Sequence, residues 1–233
     1  MMAFLSLSTV SKYFGPKVGV EGISIDVNRG ETVLLFGHNG SGKTTLLRLL
    51  ATLTRPSEGT ISLQGTEFSR DRPTQRGELG FVAHETYLYE QLTALENLRL
   101  HARLHGVDPN RCEAQLDAVG LTDRGNDPVS EFSHGMAKRL ALARATLHDP
   151  ALLLLDEPFT GLDEESLLRV TDQLRELEET TVVFATHDVD RGFRYADRVL
   201  VLDGGQLVRD IDTAECPGPD AIKQQYVNAP RQS

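Results

Sequence analysis

Hydrophobic and polar positions change their period several times along this chain, and each change predicts a different element. Residues 4–10 and 23–27 alternate apolar and polar, the two-residue period of antiparallel strands. Residues 32–36 are instead a continuous apolar run, which reads as a buried strand, and 46–51 read as the helix that follows it. A turn at 55–59, a short strand at 60–63, a polar loop at 71–78 and a strand at 79–83 come next. From about 93 to 147 the period becomes helical: Leu95, Leu98, Leu100, Leu104, Leu116, Val119, Met136, Leu140, Ala143 and Leu147 recur at helical spacing, broken near Asp108-Pro109 and Asp127-Pro128. Strands return at 151–155, 181–185 and 199–202, with a helix near 164–179 between the first two.

Strands alternating with helices imply βαβ units and a largely parallel sheet. The expected architecture is α/β: one domain over 1–233, opening with an antiparallel β subdomain. Its core comes from about 1–86 and 150–212, with a helical subdomain inserted at about 87–149. The tail at 213–233, which carries Pro217, Gly218, Pro219 and Pro230, is expected to be partly disordered.

The strand at 32–36 runs into Gly37-His38-Asn39-Gly40-Ser41-Gly42-Lys43-Thr44-Thr45, a complete phosphate-binding P-loop leading into a helix. Its glycines let the backbone turn N–H groups inward, and the helix N-terminus behind them favours anionic phosphate. Lys43 is expected to reach the β- and γ-phosphates of a nucleoside triphosphate, and the Thr44 hydroxyl to hold Mg²⁺. The fold expectation therefore sharpens to a P-loop nucleoside-triphosphatase core.

A second apolar strand ends in two adjacent acids, Leu152-Leu-Leu-Leu-Asp156-Glu157. Neighbouring strand residues face opposite ways, so the two carboxylates can serve different purposes. Asp156 is expected to assist the Mg²⁺, and Glu157 to orient and polarise the attacking water. Ligands of α/β proteins bind at the carboxyl ends of parallel strands, where both acids fall.

Composition narrows the setting. Hydrophobic residues make up 39% and charged residues 25% of the 233, ordinary for a globular protein. The net charge of -10 argues against broad nucleic-acid binding. Cys112 and Cys216 form no metal-ligand pattern, read as plain thiols and suggest a reducing compartment. The N-terminal residues lack a signal peptide's pattern, and the aliphatic run at 152–155 is far too short to span a bilayer. A cytoplasmic protein is expected.

Phe132-Ser133-His134-Gly135-Met136-Ala-Lys-Arg139-Leu-Ala-Leu-Ala-Arg144, standing upstream of the Asp156-Glu157 strand, resembles the signature motif of ATP-binding-cassette (ABC) ATPases. Other pieces fall in the family's order: Phe14 as the adenine-stacking residue, Thr160-Gly-Leu-Asp163 as the D-loop, and His187 as the switch histidine. The resemblance covers essentially residues 3–210. It implies that ATP is sandwiched between the P-loop of one chain and Ser133 and Gly135 of a second, so a homodimer is the expected active form. It also implies integral membrane permease subunits as partners, with Leu88-Tyr-Glu-Gln-Leu-Thr93 and the following helix as the docking surface, at the cytoplasmic face of the membrane.

Two positions depart from the family's usual pattern. His84 stands where glutamine normally senses Mg²⁺ and the transport partner, and it is a candidate for contact with the Mg²⁺ shell or the attacking water. The signature carries His134 and Met136 where glycine and glutamine are usual. With Leu92-Thr-Ala-Leu-Glu-Asn-Leu98 and Leu155-Asp-Glu-Pro-Phe-Thr-Gly-Leu-Asp163, these features resemble the ATPase subunit of the cytochrome c maturation, haem-handling exporter. The alternatives are another small exporter's ATPase, or a non-transport ABC ATPase of DNA repair or translation. The latter typically carry long coiled-coil insertions or fused cassettes, and neither stands here. A P-loop kinase or GTPase leaves the signature and His187 unexplained.

Overall fold

A computed structural model of the chain describes residues 3–68, 73–177 and 179–227. The chain divides into two units, the first formed by Met1–Arg76, Leu154–Glu157 and Thr181–Ser233, the second by Gly77–Leu153 and Pro158–Thr180. In chain order the elements are β1 (Leu5–Phe14), β2 (Lys17–Val27), β3 (Thr32–Phe36), α1 (Lys43–Leu50), β4 (Glu58–Leu63), β5 (Thr66–Glu67) and α2 (Pro73–Arg76), all in the first unit. The second unit holds β6 (Leu79–Val82), α3 (Ala94–His105), α4 (Arg111–Ala118), α5 (His134–Thr146) and, after β7 (Leu152–Asp156), α6 (Glu164–Arg175). β8 (Thr181–Thr186), α7 (Val189–Phe193), β9 (Arg198–Asp203), β10 (Gln206–Asp212) and α8 (Pro219–Val227) return to the first.

The alternating segments at the start form an antiparallel sheet of order β2-β1-β4-β5. Leu5 sits opposite Val27 on one side and Leu63 on the other; Leu7 sits opposite Ile25 and Ile61. All six are buried, so the alternation seals one face of this sheet. The strands are longer than the pattern alone predicts, because β1 and β2 run on to a tight connection between Phe14 and Lys17.

The continuous apolar runs lie in a second sheet, in the order β10-β9-β3-β8-β7 within this unit. β3 is parallel to both neighbours, with Leu34 opposite Phe184 and Val199. A strand covered on both faces is apolar through its interior, and β3, β7 and β8 are, with polar residues only at their ends. β10 was not expected as a strand: it is an antiparallel edge, largely exposed, with too little apolar patterning to show. Arg198 fastens it, donating to both carboxylate oxygens of Asp210 at 2.6 Å and to the Asp26 carbonyl at 2.7 Å.

In the second unit the helical period buries Ala94, Leu98 and Ala102 of α3 against Cys112, Leu116, Leu140, Ala143 and Leu147. α3 starts at a reciprocal cap. The Thr93 hydroxyl accepts from the Glu96 N–H, and the Glu96 carboxylate accepts from the Thr93 N–H. Leu104 keeps the spacing but is 75% exposed, off the buried stripe. α6 ends at Arg175, short of the expected 179. The Leu152 N–H donates to the Glu78 carbonyl at 3.0 Å, joining the start of β7 to the entry of β6.

Two loop expectations change. Residues 71 and 72 of the expected polar loop lie outside the described residues, and Pro73–Arg76 forms the single turn α2. The tail is not disordered through Val227. Asp212 caps a 3₁₀ turn at Thr213–Glu215, and α8 buries Ile222 completely while Lys223 pairs with Asp190 of α7. Residues 228–233, with Pro230, lie outside the described residues.

Leu34 is fully buried in β3, the strand with parallel partners on both sides. Leu34→Ala is expected to lower unfolding stability by about 2–5 kcal/mol, through lost burial and a residual cavity, as read from denaturant melts.

Candidate functional site

In the first unit, β3 delivers the chain into the loop at 37–42, and α1 carries it away. Gly42 caps α1 with φ +110°, and no side chain satisfies the helix's first N–H groups. A Cβ on Gly42 would stand 2.7 Å from the Gly19 carbonyl oxygen, so the loop is pressed against β2. On its other side it rests on the β9–β10 turn. A Cβ on Gly37 would meet the Leu202 carbonyl oxygen at 2.3 Å, and the Gly205 N–H donates to the Ser41 carbonyl at 3.1 Å. The Ser41 side chain is buried inside the loop, its Oγ without a partner among the described residues. A glycine-rich loop at a helix N-terminus is built for an anionic phosphate chain.

Lys43 lies across this loop, its ammonium donating to the Gly37 carbonyl at 2.7 Å and the His38 carbonyl at 3.1 Å. Burial pushes its pKa down, while the nearby Glu157 and Asp156 carboxylates push it up. His38 turns outward: Nδ1 lies 2.6 Å from the Asn39 carbonyl and Nε2 2.8 Å from Asp203. Asn39 and Gly40 are exposed at the loop's tip. Of this stretch, Ser41, Lys43 and the backbone are the parts that face inward.

At the end of β7, Asp156 is buried, and its Oδ1 accepts from the Thr44 hydroxyl at 3.4 Å. A carboxylate and a hydroxyl this close supply hard oxygen donors of the kind that suit Mg²⁺. Glu157 takes a left-handed backbone conformation, φ +53°, unusual outside glycine and costing about 1–3 kcal/mol. The turn aims its carboxylate away from Asp156 toward the end of β8. Oε2 there accepts from the Thr186 hydroxyl at 3.1 Å, and Oε1 accepts from the His187 N–H at 3.1 Å. His187 Nδ1 also lies 2.9 Å from Oε1. A carboxylate only accepts, so this nitrogen carries the proton and donates, which leaves Nε2 directed outward. Sequence reasoning assigned Glu157 to the attacking water and named His187 by resemblance, without pairing the two, and it missed Thr186. Its signal is a hydroxyl closing an otherwise apolar strand.

Phe14, at the end of β1, is half-exposed. Its ring edge and the Thr45 methyl both come within 2.9 Å of the point where a Cβ of Gly19 would sit. The residue expected to stack on adenine therefore stands beside α1.

In the second unit, Ser133 caps α5, its Oγ accepting from the Met136 N–H at 3.2 Å. Gly135 is buried so closely that a Cβ would lie 2.9 Å from the Ser166 hydroxyl. Asp163 caps α6 through the Ser166 N–H at 2.8 Å, and that bond holds its carboxyl below the usual range. His84 is exposed on the loop after β6. That loop is clamped twice. Arg144 donates to the Tyr87 carbonyl at 2.8 Å and the Thr86 carbonyl at 2.9 Å. Buried Asn97 accepts from the Tyr89 N–H at 2.9 Å and donates to the Tyr89 and Thr93 carbonyls at 3.0 and 2.9 Å. Leu88 packs into the helical core, while Tyr87 and Tyr89 are exposed. The clamping roles of Arg144 and Asn97 had no sequence signal, since buried polar residues look like surface ones in a pattern.

A phosphate loop between a parallel strand and a helix, with two adjacent acids at the end of β7, one strand beyond β8 in the same sheet, defines a P-loop nucleoside triphosphatase. The chain belongs to the ABC transporter family, whose model matches residues 20–160. It is 32% identical to the linearmycin resistance ATP-binding protein LnrL of Bacillus subtilis, over 96% of this chain and 75% of that protein. It is 33% identical to the Nod factor export ATP-binding protein I of Paraburkholderia xenovorans, over 98% of this chain and 81% of that one. It also superposes on the dimeric post-hydrolysis structure of the ATP-binding cassette MJ0796 bound to ADP and Pi. There the TM-score is 0.83 and the identity 28%, over 90% of this chain and 98% of that one. The chain binds and hydrolyses ATP.

Gly42→Ala puts a Cβ into a strained conformation against the Gly19 carbonyl. A penalty of about 1–3 kcal/mol corresponds to an ATP affinity loss of roughly 5–150-fold. Titration of the purified variant with a fluorescent ATP analogue measures it.

Proposed function

We propose that this chain is the ATP-hydrolysing subunit of an ABC exporter, working as a dimer beneath a membrane-embedded permease. The observation that carries the reading is the Glu157 carboxylate, held by Thr186 and His187 at the end of β8 in the unit that holds the P-loop. A carboxylate fixed on two sides by donors keeps its orientation, which is what a general base for water requires. Glu157 takes the water's proton as the water oxygen bonds to the γ-phosphorus and the bond to the bridging oxygen breaks. His187 positions that carboxylate, and its outward Nε2 is the group available to the γ-phosphate. Lys43 and the loop N–H groups bind the phosphate chain, and Phe14 stacks on the adenine.

Mg²⁺ would be held by Thr44 and Asp156, where it would neutralise phosphate charge. His84 takes the family glutamine's position, so His84→Gln retains ATPase activity in this reading.

Ser133, Gly135 and Asp163 are assigned to the ATP of a second copy. The dimeric cassette MJ0796 supports that assembly. The loop with Tyr87 and Tyr89 is assigned to the permease, because its two clamps present exposed aromatics on a fixed backbone. No helix among the described residues is long and apolar enough to cross a membrane, so a separate permease would supply the path. Relatives named for linearmycin resistance and Nod factor export favour export as the task. The haem-handling reading rests on His84, the 92–98 and 155–163 stretches and Ser133-His-Gly-Met136, and it gains no support from these relatives.

Glu157→Gln tests the reading. It is expected to keep ATP binding, to cut turnover by about 10²–10⁴-fold, and to elute as a dimer in saturating Mg-ATP on sizing chromatography. A variant that stays monomeric there sinks the shared site. Two further variants separate the halves of that site. Lys43→Ala is expected to lose ATP binding by the monomer, while Ser133→Glu keeps it and loses hydrolysis. Equal loss of affinity in both would remove Ser133 from the partner's site.

A further inference from the structure

Three histidines that serve no role above meet in the second unit. His101 and His105 stand one turn apart on α3, so their rings share a face of that helix. His148 follows Leu147, the residue that ends α5. His101 Nε2 and His148 Nδ1 are 3.4 Å apart. Ring centroids lie 4.2 Å apart between His101 and His105, 4.1 Å between His105 and His148, and 5.3 Å between His101 and His148. One nitrogen of each ring lies within 4.8 Å of the other two. All three side chains are half-buried.

The spacing is that of a coordination shell. Zinc–nitrogen bonds of about 2.0–2.1 Å in a tetrahedron put neighbouring nitrogens about 3.3–3.4 Å apart. The His101–His148 pair already has that separation, and a His105 nitrogen lies within 4.8 Å of both. His148 is also oriented as a ligand. Its Nε2 lies 2.9 Å from the Leu79 carbonyl oxygen, which can only accept, so Nε2 carries the proton. Nδ1 therefore turns a lone pair toward the other two rings. A ligating histidine typically fixes itself through such an outer hydrogen bond.

Burial, with the neighbouring histidines adding to it, holds His101 down to about 3; burial also lowers His105 and His148. Neutral imidazole is the form that binds metals.

We propose that His101, His105 and His148 form a site for Zn²⁺, with water in the fourth position. Imidazole suits Zn²⁺, and three histidines with one open position is an established zinc geometry. When the metal binds, the His101 ring proton moves from Nε2 to Nδ1, so no redox change or net proton release is needed. The bound ion ties the last turn of α3 to the segment after α5, a staple inside the helical unit. Neither the P-loop nor the Glu157–His187 pair is part of it.

The test uses the purified full chain without nucleotide, titrated with Zn²⁺ alone against a chromophoric chelator. One saturable equivalent is expected. His105→Ala and His148→Ala are each expected to weaken it at least about tenfold, while His84→Ala and His187→Ala leave it unchanged. Because a ring deletion could also loosen the helical core, X-ray absorption at the zinc edge of the wild-type protein gives a second measurement. It should show three imidazoles at about 2.0–2.1 Å. No saturable binding overturns the proposal. So does binding that survives His105→Ala and disappears in His187→Ala, or a zinc shell with fewer than three imidazoles.

Discussion

β3 is the constraint on which the rest of the first unit depends. It has a parallel partner on each side, and both its faces are covered. Its end therefore fixes the start of the phosphate loop in space. β8, its neighbour, ends level with it and delivers Thr186 and His187. β9, on the other side, leads into the turn whose Leu202 and Gly205 press on the loop. Loop, base-holding residues and buttress are all strand ends of one sheet, so their relative positions are set by ladder hydrogen bonds rather than by the loops themselves.

Several features here cost stability and are explained only by chemistry. Glu157 holds a backbone conformation that glycine would take without strain, and in return its carboxylate leaves the face of Asp156 for that of Thr186. Lys43 is buried and has carbonyls as hydrogen-bond partners. The two nearby acids offset part of the burial penalty on its charge. Ser41 keeps a buried hydroxyl without a partner among the described residues. Strain, a desolvated cation and an unpaired hydroxyl cluster around one loop, where binding a highly charged ligand can offset them.

Much of this was legible in the sequence. The parallel strands announced themselves as apolar runs because they are covered on both faces, and the P-loop and paired acids are local in sequence. β10 escaped because an exposed edge strand needs few apolar residues, yet the turn before it braces the phosphate loop. The tail helix escaped for a related reason: among its described side chains Ile222 is the one that is fully buried, and its neighbours Lys223 and Gln224 are polar. The spacing His101-x-x-x-His105 was readable, but the third ring comes from a position far along the chain, and only the packing of the helices brings it in.

The clamp on the loop after β6 has one property that follows from its chemistry. Arg144 grips Thr86 and Tyr87 by their carbonyl oxygens, and Asn97 grips Tyr89 and Thr93 by main-chain atoms. Main-chain oxygens are present whatever side chain a residue carries. The outward residues at 87 and 89 can thus be exchanged without disturbing the grip that holds them in place. Such a surface can be retuned by mutation toward a different partner while the scaffold that holds it stays as it is.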